Sequence, residues 1–209
     1  LLLMKKKSSK IFKTSFYYDL NALKKHNHIF FNLNNGLILI YNDVRRFGFF
    51  KIYNTTKINE IGFLKKLGPE PLGQKFNASY FFKFIKNKKK NIKNLLMDQS
   101  FVSGLGNIYV NESLFLSNIK PTRIVSNLRK REIKILIANI VKVLKFSILK
   151  GGSSIKDFKN TSGKTGNFQQ FFYVYGQNNK KCSRISCNGI IRKIVISNRS
   201  TYFCNKCQN

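Results

Sequence analysis

Hydrophobic positions follow two different periods along this chain. Between about residues 27 and 54 they fall in short bursts bounded by turn residues. Ile29 to Leu33 reads as a strand, Asn34-Asn35-Gly36 as a hairpin turn, and Leu37 to Tyr41 as the returning strand. A third strand is expected from Phe49 to Tyr53, after Arg45-Arg46-Phe47-Gly48. The pattern breaks at Leu67-Gly68-Pro69-Glu70-Pro71-Leu72, where two prolines suit neither a helix nor a central strand, and a domain boundary is placed there. Beyond it the period becomes helical. Asn77 caps a helix through Ile85, and a second helical segment is expected over Lys88 to Asp98. The glycine turn Ser103-Gly104-Leu105-Gly106-Asn107 leads into a helix from about Ile108 to Ser117. Ser126 is the expected cap of a long helix whose apolar stripe is Leu128, Ile133, Leu136, Ile137, Ile140, Val141, Leu144 and Ile148. Gly151-Gly152 ends it, and Ser153 to Gln170 is a long polar loop of the kind usually kept for function. Strands return at Ile190 to Ile196 and Thr201 to Phe203. Ser197-Asn198-Arg199-Ser200 turns between them and puts Arg199 at or near the tip.

The cysteines change this picture most. All four lie in the last segment, as Cys182-x4-Cys187 and, sixteen residues later, Cys204-x2-Cys207. Two close pairs around a hairpin-length insert suit a tetrahedral thiolate site for one zinc ion, which stabilises a unit too small for a core of its own. The alternatives are two disulfides in a secreted protein, or unrelated thiols. No export signal is recognisable, because Leu1-Leu2-Leu3-Met4 precedes its lysines, the reverse of a signal peptide's order. That favours metal ligands in a reducing cytosol. No apolar run approaches the ~18–20 residues that span a bilayer, so no insertion into a membrane is expected.

Charge points to the partner. The 209 residues carry 39 Lys+Arg against 8 Asp+Glu, a formal net charge of +31. Such a field favours a polyanion, nucleic acid first and an anionic membrane surface second. An AT-rich genome would also inflate lysine, but it does not so readily explain the scarcity of acids. Lys86, Lys88, Lys89, Lys90 and Lys93 lie beside the Gly104–Asn107 turn in the expected layout, where free backbone N–H groups and lysines make a phosphate cradle. A lysine run alone is more often a solvated face. Arg45-Arg46-Phe47 sits at a strand junction and could grip phosphate and wedge between bases, or fold Phe47 into the core. His26 and His28 would share one face of a strand, but without a third ligand they make a poor metal or catalytic site.

Together these segments resemble the formamidopyrimidine-DNA glycosylases. The matching stretches are Lys25-His26-Asn27-His28, Asp43-Val44-Arg45-Arg46-Phe47-Gly48, Leu67 to Leu72, and Met97-Asp98-Gln99 followed by Gly104 to Tyr109. Glu112-Ser113-Leu114-Phe115, Gly151 to Ser154, Gly166 to Gln170, Val174-Tyr175-Gly176 and Asn198 to Cys204 complete the set. The resemblance runs from about Lys25 to Gln208 and implies an α+β fold. Its parts would be part of an N-terminal β-sandwich (1–66), a helix–two-turn–helix domain with a lesion-capping loop (67–170), and a zinc-stapled β-hairpin (171–209). It implies a monomer that binds damaged double-stranded DNA in the bacterial cytoplasm, excises oxidised purines and cleaves the strand at the abasic site. By motif position, His26, Arg45 and Lys88 are implied DNA contacts, and Lys93 and Asn107 grip phosphates beside the lesion. Arg45 and Phe47 are implied to fill the gap left by the flipped base. Arg199 is the implied catalytic residue, a proton donor in the final elimination, and the Ser153–Gln169 loop folds over the flipped base. Endonuclease VIII shares the helical and zinc parts but prefers oxidised pyrimidines; the Gly-Gly-Ser-Ser to Phe-Gln-Gln loop points to the purine enzyme.

The chain departs from that pattern at its start. Family members begin Pro-Glu-Leu-Pro-Glu-Val, with the proline amine as nucleophile and the glutamate as acid/base, and a lysine follows on a β-hairpin. None of these is present, nor is the Leu-Gly-Met-Ser-Gly motif expected near Leu1–Ser9. The expectation is an N-terminally truncated member that lacks its nucleophile, or a non-catalytic, zinc-dependent damaged-DNA-binding paralogue.

Overall fold

A computed structural model describes residues 2–6, 11–12, 24–43, 46–153 and 166–209. Arg45 and most of the expected capping loop (154–165) lie outside the described residues. The chain folds as two compact units, Leu1–Asn54 with Leu149–Gln170, and Thr55–Ile148 with Phe171–Asn209.

The first unit is built on an antiparallel sheet in the order β2-β1-β4-β3, from β1 (Leu2–Lys6), β2 (Ile11–Phe12), β3 (Asn27–Asn32) and β4 (Leu37–Asn42). The β3–β4 hairpin has the expected turn: Gly36 adopts φ +75°, and Leu37 N donates to Asn35 Oδ1 at 3.1 Å. β1 and β2 were not foreseen, since a lysine-rich segment carries little strand pattern. The expected strand Phe49–Tyr53 is not one. Alternating aromatics supply propensity, but tertiary context decides strand formation, and here the Phe50 ring packs against Phe31 and Tyr41.

The second unit is helical, with α1 (Gly62–Lys65), α2 (Ala78–Ile85), α3 (Ile92–Leu96), α4 (Asn107–Leu116) and α5 (Lys130–Leu149). Asn77 caps α2 as expected, its side chain accepting from Tyr80 N. The helix expected over Lys88–Asp98 is only α3. Asn87 takes φ +61° and Asn91 caps by accepting from Asn94 N, so Lys86–Lys90 are not helical. Ser126 lies in a 3-10 turn and does not cap α5. Instead Glu132 reaches back to accept from Arg129 N at 2.8 Å and pairs with Arg123. The α5 stripe buries Ile133, Leu136 and Ile140 against α2–α4, while Ile148, expected in the core, is 66% exposed. No described helix is long and apolar enough to cross a membrane.

The chain closes with a hairpin of β5 (Ile191–Ile196) and β6 (Arg199–Cys204). Its turn has two residues, Ser197 and Asn198, both at positive φ, so Arg199 and Ser200 belong to β6 and not to the turn.

Candidate nucleic-acid interface and zinc centre

α4 organises the second unit's site. Its approach is the glycine turn, where Gly104 takes φ +76° and Gln99 holds the loop by accepting from Gly104 N at 2.7 Å. Gly106 then occupies the cap position, where the first N–H groups of α4 have no intrahelical partner and its dipole is positive. Asn107 opens the helix and donates through Nδ2 to the Ser200 carbonyl at 3.0 Å.

Lys93, on α3, reaches the same place. Its Nζ donates to the Ser200 carbonyl at 3.2 Å and to Thr201 Oγ1. Only 1% of Lys93 is exposed; burial, and then the neighbouring Arg199 guanidinium, hold its pKa at about 8. Two more side chains grip the hairpin. Asn111 Oδ1 accepts from Tyr202 N at 2.6 Å while its Nδ2 donates to the Asn107 carbonyl, and Ser197 Oγ bonds Asn94 Oδ1 at 3.0 Å. α3 and α4 thus fix the hairpin along β6, and Arg199 stands exposed one residue from Ser200. Lys93, Asn107 and Arg199, separate in sequence, are brought together. Lys88 lies apart from them on the non-helical run, exposed, with Nζ 3.8 Å from the centre of the Phe84 ring. Lys90 is paired with Asp98 at 2.8 Å; that bond and those from Ser100 hold the Asp98 carboxyl at about 2.

In the first unit, the Asp43 carboxylate accepts from Gly48 N at 2.9 Å and from Tyr41 OH at 3.0 Å. Burial, and then the Asp43 carboxylate, raise the Tyr41 pKa. A Cβ on Gly48 would collide with Tyr41 OH, so any side chain there would have to displace the Tyr41 hydroxyl from its bond to Asp43. Phe47 is 78% exposed, not folded into the core. His26 and His28 do not share an environment: a register shift between Asn27 and Ile29 interrupts the strand, His26 is half-buried, and His28 Nε2 bonds the Asp43 carbonyl. The base of the loop after α5 is pinned by Ser153 pairing with Asn167 and by Phe168 N donating to the Gly152 carbonyl. A Cβ on Gly166 would collide with that carbonyl.

The Sγ atoms of Cys182, Cys187, Cys204 and Cys207 all lie within 4.8 Å of one another. Cys182–Cys207 are 3.8 Å apart and Cys187–Cys204 3.6 Å, too long for disulfides. A tetrahedron of ~2.3 Å zinc–sulfur bonds has edges of about 3.8 Å, so the donor set fits one structural zinc. Burial pushes Cys204 up, but N–H groups of Cys207 and Lys206 outweigh it and hold that thiol at about 7. Burial and the adjacent Cys204 and Cys182 push Cys207 up. Gly189 N donates to Cys187 Sγ, and a Cβ at Gly189 would sit 2.5 Å from Cys204 Sγ.

Two anchors were missed by sequence reasoning. Glu112 accepts from the backbone N–H groups of Tyr173, Val174 and Tyr175 at 2.8–3.1 Å, although burial still raises its pKa. Asn111 is the other. The available signal was a polar Asn111-Glu112-Ser113 run in a helix without an amphipathic stripe: such a helix is buried all round, and its polar groups must find partners.

Residues 67–159 match the family profile described as the formamidopyrimidine-DNA glycosylase H2TH domain, and residues 179–209 that of the zinc finger found in FPG and IleRS. The chain is 46% identical over 188 residues to the formamidopyrimidine-DNA glycosylase of Wolbachia sp. subsp. Drosophila simulans (strain wRi), an alignment covering 90% of this chain and 68% of that protein. The chain belongs to the formamidopyrimidine-DNA glycosylase family. A second relative, from Haemophilus influenzae, is 42% identical over 90% of this chain and 68% of its own length. Lactococcus lactis Fpg in complex with abasic-site DNA superposes with a TM-score of 0.82 at 33% identity, covering all of this chain and 71% of that one. MutM in complex with DNA containing carbocyclic 8-oxo-G gives 0.79 at 38%, covering 91% and 68%. The fold is therefore that of the Fpg family, α+β with an H2TH domain and a C-terminal zinc finger.

Proposed function

We propose that this chain is a DNA-repair protein of the glycosylase class that binds damaged duplex DNA, and that its family's reaction is excision of oxidised purines followed by strand cleavage at the abasic site. The observation that carries the reading is the meeting of Lys93 and Asn107 on the Ser200 carbonyl. It sets the exposed Arg199 on a hairpin fixed to α3 and α4, beside the positive end of α4. An arginine in that place suits a phosphate oxygen, and a bound guanidinium is a fixed, always-charged group. In this reading Arg199 contacts the lesion phosphate and assists the last elimination, while His26, Arg45 and Lys88 hold the backbone. Phe47, solvent-facing beside the Asp43–Gly48 hydrogen bond, fills the vacated stack together with Arg45. The functional division is 1–66, 67–170 and 171–209.

Base excision by this family's route also needs an amine at the sugar carbon and a carboxylic acid to manage protons. The 209 residues do not include the Pro-Glu start motif, and Lys93, the amine with a lowered pKa among the described residues, is buried and bonded to Ser200 and Thr201. Arg199 cannot take over as nucleophile, since a guanidinium offers N–H donors and no acceptor lone pair. The 209 residues therefore bind the lesion without excising it. Borohydride trapping on a duplex containing 8-oxoguanine tests this. We expect no covalent adduct from the 209-residue protein and an adduct once a family N-terminus beginning Pro-Glu is joined to it. An adduct from the 209 residues alone refutes the assignment. Equal affinity for abasic-analogue and undamaged duplex refutes the damage-binding reading itself.

A further inference from the structure

The site just described uses α3, α4 and the hairpin. A different concavity, of about 350 Å³, lies between α2 and α5. Its floor is apolar, from Ala78 and Phe82 on α2 and the fully buried Ile133 on α5, and its rim carries Lys83, Lys130 and Lys134. Phe82 is 43% exposed, with Lys130 Nζ 5.2 Å from the centre of its ring. No acidic residue lines the groove. Glu132, the acid of the first α5 turn, turns away to Arg123 and Arg129 N.

The electrostatics of this groove are unfavourable in the isolated protein. Lys130 and Lys134 are like charges at i and i+4, which repel across one helical turn. Lys130 also sits in the first turn of a 20-residue helix, where the dipole favours an anion over a cation. A ligand with negative charge would relieve both effects, and one with an apolar side chain would cover Phe82 and the Ala78–Ile133 floor. A nucleic-acid backbone offers the charge, but it presents no apolar group of side-chain size unless a base is unstacked. An acidic peptide offers both at once. We infer that the α2–α5 groove is a docking site for an acidic polypeptide segment carrying an exposed apolar side chain, contributed by a partner protein. Its apolar residue seats on Phe82 and its carboxylates pair with Lys83, Lys130 and Lys134. Such short acidic-motif recognition needs a small concave anchor point more than a large interface.

The test uses the whole zinc-loaded chain and a short fluorescein-labelled peptide of aspartate and glutamate with a central phenylalanine. Its controls are the same peptide with serine in place of phenylalanine, and a single-stranded oligonucleotide. Fluorescence anisotropy should show binding of the phenylalanine peptide at least tenfold tighter than the serine peptide. Phe82→Ser and the charge reversals Lys83→Glu and Lys134→Glu should each weaken it at least tenfold. The same three variants should bind duplex DNA with an abasic analogue within about twofold of the parent, which also shows that they are folded. Equal binding of the two peptides would overturn the proposal by reducing it to bulk charge. Unchanged peptide affinity in the variants would overturn the location. Oligonucleotide binding that falls as much as peptide binding in the variants would assign the groove to nucleic acid instead.

Discussion

Lys93 shows how far a residue's setting can depart from its sequence context. In the sequence it closes a lysine run and reads as a phosphate ligand; in the fold its ammonium is enclosed and spent on Ser200 and Thr201. Its folded-state pKa of about 8 lies below the ordinary 10.5. Between those values the unfolded chain holds the extra proton, so stability rises with pH through that window, by at most about 1.4 kcal/mol per pH unit. Urea titrations of the parent and Lys93→Met should show this slope in the parent only. A second measurement separates the phosphate role from the internal one. If Lys93 neutralises a DNA phosphate, Lys93→Met lowers the salt slope of DNA binding by about 0.9. If its bonds to the hairpin are its whole role, affinity falls and the slope stays.

At the scale of elements, the hairpin is held from two sides. Zinc at its base joins β6 to the Cys182–Cys187 segment, and α3 and α4 grip its outer end. One equivalent of zinc per chain is expected by elemental analysis. Cys204→Ser should abolish DNA binding in an anisotropy assay, not merely weaken it, because the metal's binding energy is folding energy for this unit. Glu112 performs a comparable service for the approach to the zinc segment. Glu112→Ala leaves three backbone N–H groups without their acceptor and should cost on the order of 3 kcal/mol or more in chemical denaturation. The two helices whose limits differ from expectation differ for the same reason. Asn91 accepts from Asn94 N in the first turn of α3, and Glu132 reaches back to Arg129 N just before α5; side-chain caps of this kind decide where a helix begins within a longer helical pattern.

For the whole molecule, the charge of +31 sets the conditions under which any binding is seen. Affinity for duplex DNA should fall steeply with salt, by roughly 0.9 log units per log unit of salt for each phosphate neutralised. A dependence flat between low and physiological salt would show that the positive field is not used on nucleic acid.

Much of this was legible in the amino-acid order itself. Turn chemistry is local, so Asn34-Asn35-Gly36, Asn77 and the Gly104–Asn107 turn were placed correctly from residues a few positions apart. The zinc set was legible because ligand spacing is a local constraint as well. What only the tertiary structure decided are relations across the sequence. Lys93 meets Ser200 and Thr201 more than a hundred residues away, and Asn111 meets Tyr202 across 91. Phe49 to Tyr53 has the composition of a strand but is not one in the fold, and Ile148 continues a helical stripe to a position that is 66% exposed. Periodicity states which face could be buried. Whether it is buried, and which buried polar group takes which partner, depends on what the rest of the chain brings against it.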